Sequence, residues 1–138
     1  MKDYQQFLVI KRMARDLDFP VEIVPCPIVR EPDGLAMSSR NRYLSASERK
    51  DALCLKRALD IAEEAFRFGE RDPRAIERNA LEKIEKASGA RIDYVQCRDS
   101  ETLDDIGSIE RPAVLALAVF IGSTRLIDNI VLTPQKKD

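Results

Sequence analysis

Apolar residues recur along this chain at two different periods, and the change of period divides it. Phe7, Ile10, Ala14 and Leu17 lie three and four apart, which stacks them on one helical face, so residues 4–17 are expected to form a helix. Asp3 with Gln6 three places later reads as a reciprocal cap at its start, and Pro20 ends it. Val21-Glu22-Ile23-Val24 then reads as a short strand, because branched side chains suit a pleated surface. From 25 to 44 the periodicity fails, and Pro25, Pro27, Pro32, Gly34 and Asn41 supply turn chemistry instead. A polar connection of that length is usually functional or disordered.

Helical spacing returns behind a second cap, Ser45-Ala46-Ser47-Glu48, and carries Ala52, Leu55, Leu59, Ala62 and Phe66 to Gly69 as one predicted helix. Asp72 before Pro73 opens another, with Ile76, Ala80, Ile84 and Ala87 on one face and Gly89 after it. Beyond that glycine the pattern becomes strand-like over 91–98, 113–121 and 124–132, with Gly122-Ser123 as a two-residue hairpin turn. The predicted fold class is α+β: residues 45–138 form a small domain of helices packed on a three-stranded antiparallel sheet. One helix and one short strand cannot close a core. Residues 1–29 are therefore expected to be the last elements of a larger α/β domain, with 30–44 as the loop between.

Composition narrows the chemistry. The 138 residues carry 23 Lys and Arg against 24 Asp and Glu, so no net basic field draws in nucleic acid. The longest uncharged stretch, residues 112–124, is too short for a span of about 20 residues, and no membrane association is expected. Cys26, Cys54 and Cys97 are odd in number and widely spaced, which suits reduced packing residues of a cytoplasmic protein. The chain has no histidine, which excludes a Ser-His-Asp triad, a Cys-His pair and any His-ligated metal within it.

Candidate chemistry concentrates in the 30–44 loop. Ser38 and Ser39 offer hydroxyl donors, and Arg40 directly after them offers a planar guanidinium matched to phosphate oxygens. On composition alone the better reading is a turn formed by Ser38 and Ser39, with the arginines solvated or paired with Glu31 and Asp33. Lys2, Asp3 and Gln6 open the first helix, where amides and the helix dipole favour an anion; capping alone also explains them. Asp99, Glu101, Asp104, Asp105 and Glu110 lack calcium-loop spacing and read as a solvated acidic loop. Tyr43 and Tyr94 read as packing residues, Cys26 has no adjacent base, and Arg125, Asp128 and Asn129 suggest structural hydrogen bonds.

Three segments carry a resemblance: Lys2-Asp3-Tyr4-Gln5-Gln6, the run from Val29 through Arg30-Glu31-Pro32-Asp33-Gly34-Leu35-Ala36-Met37-Ser38-Ser39-Arg40-Asn41-Arg42-Tyr43 to Leu44, and Thr124-Arg125-Leu126-Ile127-Asp128-Asn129-Ile130. In that order they resemble the pantothenate synthetase (pantoate-beta-alanine ligase) family, over the C-terminal half of that enzyme. The resemblance implies a nucleotidyltransferase-superfamily ligase. It would use ATP and Mg2+ to adenylate pantoate, after which beta-alanine displaces AMP. Residues 1–29 would then close a Rossmann-like domain. Lys2, Asp3, Val29, Met37, Ser38, Ser39 and Arg40 match ATP-site positions, the last four being the counterpart of the KMSKS loop, and Gln6 matches a pantoate-binding position. Lys2, Ser38, Ser39 and Arg40 are implied to serve catalysis by stabilising charge on the phosphates. The family also has an N-terminal half with a paired-histidine motif, absent here, so this chain is expected to be a piece that cannot complete the reaction alone. Mg2+ would be held mainly by that half and the phosphates, and the whole enzyme is expected to be a homodimer. The rival expectation is a non-catalytic anion-binding or assembly module.

Overall fold

A computed structural model describes residues 1–135; the last three positions of the predicted 45–138 domain lie outside the described residues. The elements are α1 (Tyr4–Asp16), a 3-10 turn (Ser39–Tyr43), α2 (Ala46–Ala52), α3 (Cys54–Arg67), α4 (Pro73–Glu85), β1 (Ala90–Asp99), β2 (Ala113–Ile121) and β3 (Thr124–Leu132). The strands form one antiparallel sheet in the order β1-β2-β3, which bears out the α+β expectation.

Strand alternation gives the sheet two different faces. Ala113, Leu115, Leu117, Val119 and Ile121 of β2 join Val95, Cys97, Leu126 and Leu132 in the core, against Leu55, Leu59, Ala62, Phe66, Ile76, Ala80 and Ile84 of α3 and α4. Each Val, Leu, Ile or Phe among them stabilises the fold by about 1.5–3 kcal/mol when fully buried. Ile92 also packs on this core, although it is out of phase with Val95 and Cys97. A bulge between Ile92 and Tyr94 resolves the conflict by shifting the register one residue. The opposite face consequently carries Arg98, Val114 and Val131 in one cross-strand row, Gln96, Ala116 and Asn129 in the next, and Tyr94, Ala118 and Ile127 in a third.

Local chemistry fixes the ends. Ser45 Oγ accepts from the Glu48 amide while Glu48 accepts from the Ser45 amide, completing the predicted capping box. Asp72 caps α4 through the Arg74 amide, with Pro73 at the first helical position. Gly122 turns the β2–β3 hairpin at φ +57°, and a Cβ there would run into the Glu48 carboxylate. No helix among the described residues is long and apolar enough to cross a membrane.

Two local expectations need correction. The predicted single helix over 45–69 is divided at Leu53, whose amide closes a tighter, three-residue bond to the Lys50 carbonyl (3.3 Å). The apolar spacing runs unbroken through that point and so hides it. Residues 21–24, predicted as a strand, belong to no sheet, and Val21 and Val24 are exposed. A strand forms when a neighbour accepts and donates its backbone bonds, and no such neighbour stands beside this segment among the described residues.

Candidate functional site

The 30–44 loop is more firmly built than its polar composition suggests. Arg30 and Ala36 form an isolated bridge, and the Glu31 amide donates to Leu35 O and the Met37 amide to Val29 O. Leu35 is 2% exposed and belongs to the main hydrophobic core, and Leu44 packs against the same core, so these two leucines plug the loop into the domain. Asn41 donates to Ala36 O at 3.1 Å. Ser38 then caps the 3-10 turn by accepting from the Arg40 amide at 3.2 Å.

A bidentate ion pair ties this loop to β3. Arg30 donates to the two Asp128 carboxylate oxygens at 2.7 and 2.9 Å, and also to Gly34 O at 3.1 Å. Asp128 is 2% exposed, and one of its oxygens additionally accepts from the Asn129 amide. No loop arginine pairs with Glu31 or Asp33 among the described residues: Arg30 is taken by Asp128, and Asp33 pairs instead with Arg49 of α2. Arg42 donates to the Tyr43 hydroxyl and lies over its ring. Arg40 is exposed; its guanidinium makes a 3.5 Å bond to Arg125 O and no ion pair among the described residues.

The start of α1 approaches from the other side. Asp3 is its N-cap residue but makes no side-chain cap bond, so the predicted reciprocal cap with Gln6 does not form; Asp3 instead lies 3.5 Å from Lys2 Nζ. Gln6 is exposed. Asn129 donates from Nδ2 to both Met1 O and Lys2 O at 2.9 Å, and Tyr4 donates its hydroxyl to Ser100 O at 2.7 Å. Burial, reinforced by the nearby Asp99 and Glu101 charges, raises the Tyr4 phenol above its ordinary value against the opposing pull of that hydrogen bond. Along the rest of α1 only Ala14 is buried, so the helix is held chiefly by its first turn.

Two adjoining clefts result. A notch of about 10 Å3 is bordered by Lys2, Ser38, Arg40 and Asp128. A wider cleft of about 700 Å3 runs over the open sheet face, between the α1 start with Lys2, Asp3 and Gln6 and the strand residues Gln96, Arg98 and Asn129. The structure thus brings Lys2, Asp3, Gln6, Ser38 and Arg40 to one region. Ser39, Met37 and Val29 border neither cleft, and Val29 O is taken by the Met37 amide. Such an assembly of cations, hydroxyls and a helix start can receive a polyanion. Among the described residues no cluster of three or more Cys, His, Asp or Glu side chains could hold a metal. The acidic loop is partly neutralised internally: Asp99 pairs with Arg111 and accepts the Glu101 and Thr102 amides, and Asp105 pairs with Arg98. The Arg30–Asp128 pair and the Asn129 bonds to Met1 and Lys2 join residues too remote along the chain to be paired from the sequence.

Comparison with known proteins gives a consistent result. Pantothenate synthetase of Thermotoga petrophila is 50% identical over 131 residues, covering 95% of this chain and 47% of that protein. The Moorella thermoacetica pantothenate synthetase is 54% identical over 132 residues, again 95% of this chain and 46% of the relative. The chain therefore spans about half the length of the curated relatives it matches. The crystal structure of pantothenate synthetase from Thermus thermophilus superimposes with a TM-score of 0.90 at 43% identity, over 96% of this chain and 48% of that one. The pantoate-beta-alanine ligase of Francisella tularensis, solved in complex with beta-gamma ATP and beta-alanine, gives 0.61 at 28% identity, over 94% and 41%. A profile of pantoate-beta-alanine ligases matches residues 1–131, and with these likenesses it establishes that the chain belongs to the pantoate-beta-alanine ligase family, of which it represents a C-terminal portion.

Proposed function

We propose that this chain is the phosphate-gripping and substrate-covering part of an ATP-dependent ligase that joins pantoate to beta-alanine through a pantoyl adenylate. One observation carries the reading: Lys2, Ser38 and Arg40 border one notch, and that notch opens beside the wide cleft edged by Asp3 and Gln6. The notch is too small to enclose a phosphate, so the ATP phosphates would lie across its mouth in the wider cleft. Arg40 fits that cargo, since it has no acidic partner among the described residues, and Lys2, which lies 3.5 Å from Asp3, would exchange that partner for phosphate. Mg2+ would arrive on the phosphates and neutralise their charge; its protein ligands would come from the N-terminal half of the enzyme.

Attack of the pantoate carboxylate on the α-phosphorus builds charge on the equatorial and leaving oxygens. Lys2 and Arg40 would stabilise that charge, with Ser38 and Ser39 donating to the phosphates and Met37 and Val29 lying along the nucleotide. Removing one such donor typically costs about 10²–10³ in rate. Gln6 would orient pantoate through its amide. The open sheet face would cover the adenylate and keep water from it, a task that positioning by rigid strands suits. Residues 1–29 would complete the nucleotide domain, 30–44 would be the phosphate loop and 45–138 the covering domain.

Pantoate-dependent exchange of pyrophosphate into ATP tests this. The chain alone is expected to give background exchange, and addition of a separately made N-terminal half of a relative is expected to restore it. Restored exchange should fall at least about 10²-fold with Arg40→Ala. Nucleotide-independent assembly that is also indifferent to Arg40→Ala would favour a non-catalytic module instead.

A further inference from the structure

We infer that the neighbouring residues Asp128 and Asn129 of β3 are positioning residues that together set the spacing of the nucleotide grip, Asp128 holding the serine-arginine loop and Asn129 holding Lys2. The inference rests on the reading of Lys2, Ser38 and Arg40 as phosphate ligands. Adjacent residues of a strand point to opposite faces, so a single peptide unit can anchor two segments that arrive from opposite sides. The Asp128 side takes the Arg30 guanidinium in a two-pronged bond, and Arg30 also holds Gly34 O, which fixes the turn that leads into Ser38. The Asn129 side donates from one amide nitrogen to Met1 O and Lys2 O. Both residues are buried, at 2% and 5% exposure, and Asp128 further accepts from the Asn129 backbone amide, which fixes its carboxylate relative to the peptide that carries the second anchor.

The residue types are matched to the task. Two carbonyl oxygens need a donor, which Asn supplies and a carboxylate does not; a guanidinium fork needs two parallel acceptors, which Asp supplies. Apart from Asn129, this segment is held by the Met1 ammonium donating to Cys26 O at 2.7 Å and by the Phe7 amide donating to Asp3 O, with Tyr4 to Ser100 behind them, so loss of the Asn129 bonds would loosen the Lys2–Asp3 peptide while leaving the helix attached. Asp128 borders the notch and Asn129 the wide cleft, but both side chains are occupied by these bonds to protein groups. Their effect would pass through the placement of Lys2 and Arg40, where a displacement of about 1 Å can cost on the order of 10²-fold in rate.

Backbone amide order parameters and ligand titrations by NMR, on the full chain and on Asn129→Ala, Asn129→Asp and Arg30→Lys, test this. In the Asn129 variants the Lys2 and Asp3 order parameters are expected to fall from the rigid value of about 0.85 to below about 0.6, with Ser39 and Arg40 unchanged. Arg30→Lys, which keeps the charge and loses the fork, is expected to do the converse. Each variant should weaken ATP about tenfold, equivalent to about 1.4 kcal/mol, while adenosine, which has no phosphates, binds parent and variants alike. A general loss of stability would not change that ratio. Should Asn129→Asp fail to fold, Asn129→Ala removes the donor without adding charge and decides the matter. Lys2 and Asp3 as rigid in Asn129→Ala as in the parent overturns the anchor. Mobility gained with an unchanged ATP-to-adenosine ratio overturns its link to phosphate. A parent whose Lys2, Ser38 and Arg40 signals ignore ATP even with the N-terminal half of a relative added overturns the nucleotide reading and removes the ligand from the anchor; the order parameters tell this result from the first.

Discussion

Arg30 and Arg40 sit ten positions apart in one loop and do opposite things. Arg30 neutralises an aspartate that is 2% exposed, whereas Arg40 reaches solvent with one 3.5 Å bond to a carbonyl. Arg30→Ala would strand the Asp128 charge in the protein, and breaking a buried pair in this way typically costs about 3–5 kcal/mol. The Arg30 side chain is 24% exposed, so entering water softens the loss toward about 3 kcal/mol. Arg40→Ala should stay within about 0.5 kcal/mol of the parent, as exposed substitutions do. Urea unfolding of both variants checks the contrast, and equal stabilities would refute the division of labour. The cysteines show the same dependence on placement: burial, aided by the Asp51 charge, pushes the Cys54 thiol up to about 11, and burial, aided by Glu77, pushes Cys97 up to about 12. Neither is poised as a nucleophile, in keeping with their reading as packing residues, whereas Cys26 is exposed and does not fit that reading.

The turn after β1 is held by a carboxylate. Burial would raise the Asp99 pKa, but the Glu101 and Thr102 amides and the Arg111 guanidinium outweigh it and hold the carboxyl below its ordinary value. A lowered folded-state value means that ionised Asp99 stabilises the fold above the unfolded value of about 3.9, and that this contribution disappears as pH falls through the folded value. Asp99→Asn should therefore cost roughly 1–3 kcal/mol near neutral pH, and the gap to the parent should narrow below about pH 4. A gap that stays constant between about pH 3 and pH 7 would show that the charge is immaterial. Elements of this kind differ in how far the sequence reveals them. The β2–β3 hairpin and the Asp72-Pro73 helix start are readable because alternation, turn residues and caps all act over a few positions. The break at Leu53 is not, because steps of three and four continue across it. The Arg30–Asp128 pair joins residues 98 apart, and Asn129 reaches Lys2 across 127, so only the folded chain displays the anchors of the candidate site. Likewise Leu35 reads as one apolar residue in a polar loop until its place in the core is seen.

At the scale of the molecule, apolar surface is distributed unevenly. Val9, Met13, Leu17, Phe19, Val21 and Val24 are each about half exposed or more, and all belong to α1 or the segment after it. The core of α3, α4 and the sheet is by contrast closed. A solvated face would carry polar side chains at these positions, and a concentration of large apolar ones marks a surface that another body covers. Under the proposed function that body is the N-terminal half of the ligase, and these residues would pack where the nucleotide domain continues. Because they contribute little to the core present here, Val9→Asp combined with Met13→Asp should leave the thermal midpoint within a few degrees of the parent, consistent with a change of less than about 1 kcal/mol. The same double variant should lose most of the pyrophosphate exchange that the N-terminal half restores to the parent. Neither residue borders the notch or the wide cleft, so a loss of that kind would come from docking rather than from nucleotide contact. Gel filtration of the mixed halves separates the two causes: the parent should co-elute with its complement and the variant should not. Co-elution and full exchange by the variant would mean that this face is not where the halves meet, and that α1 is oriented by its first turn alone.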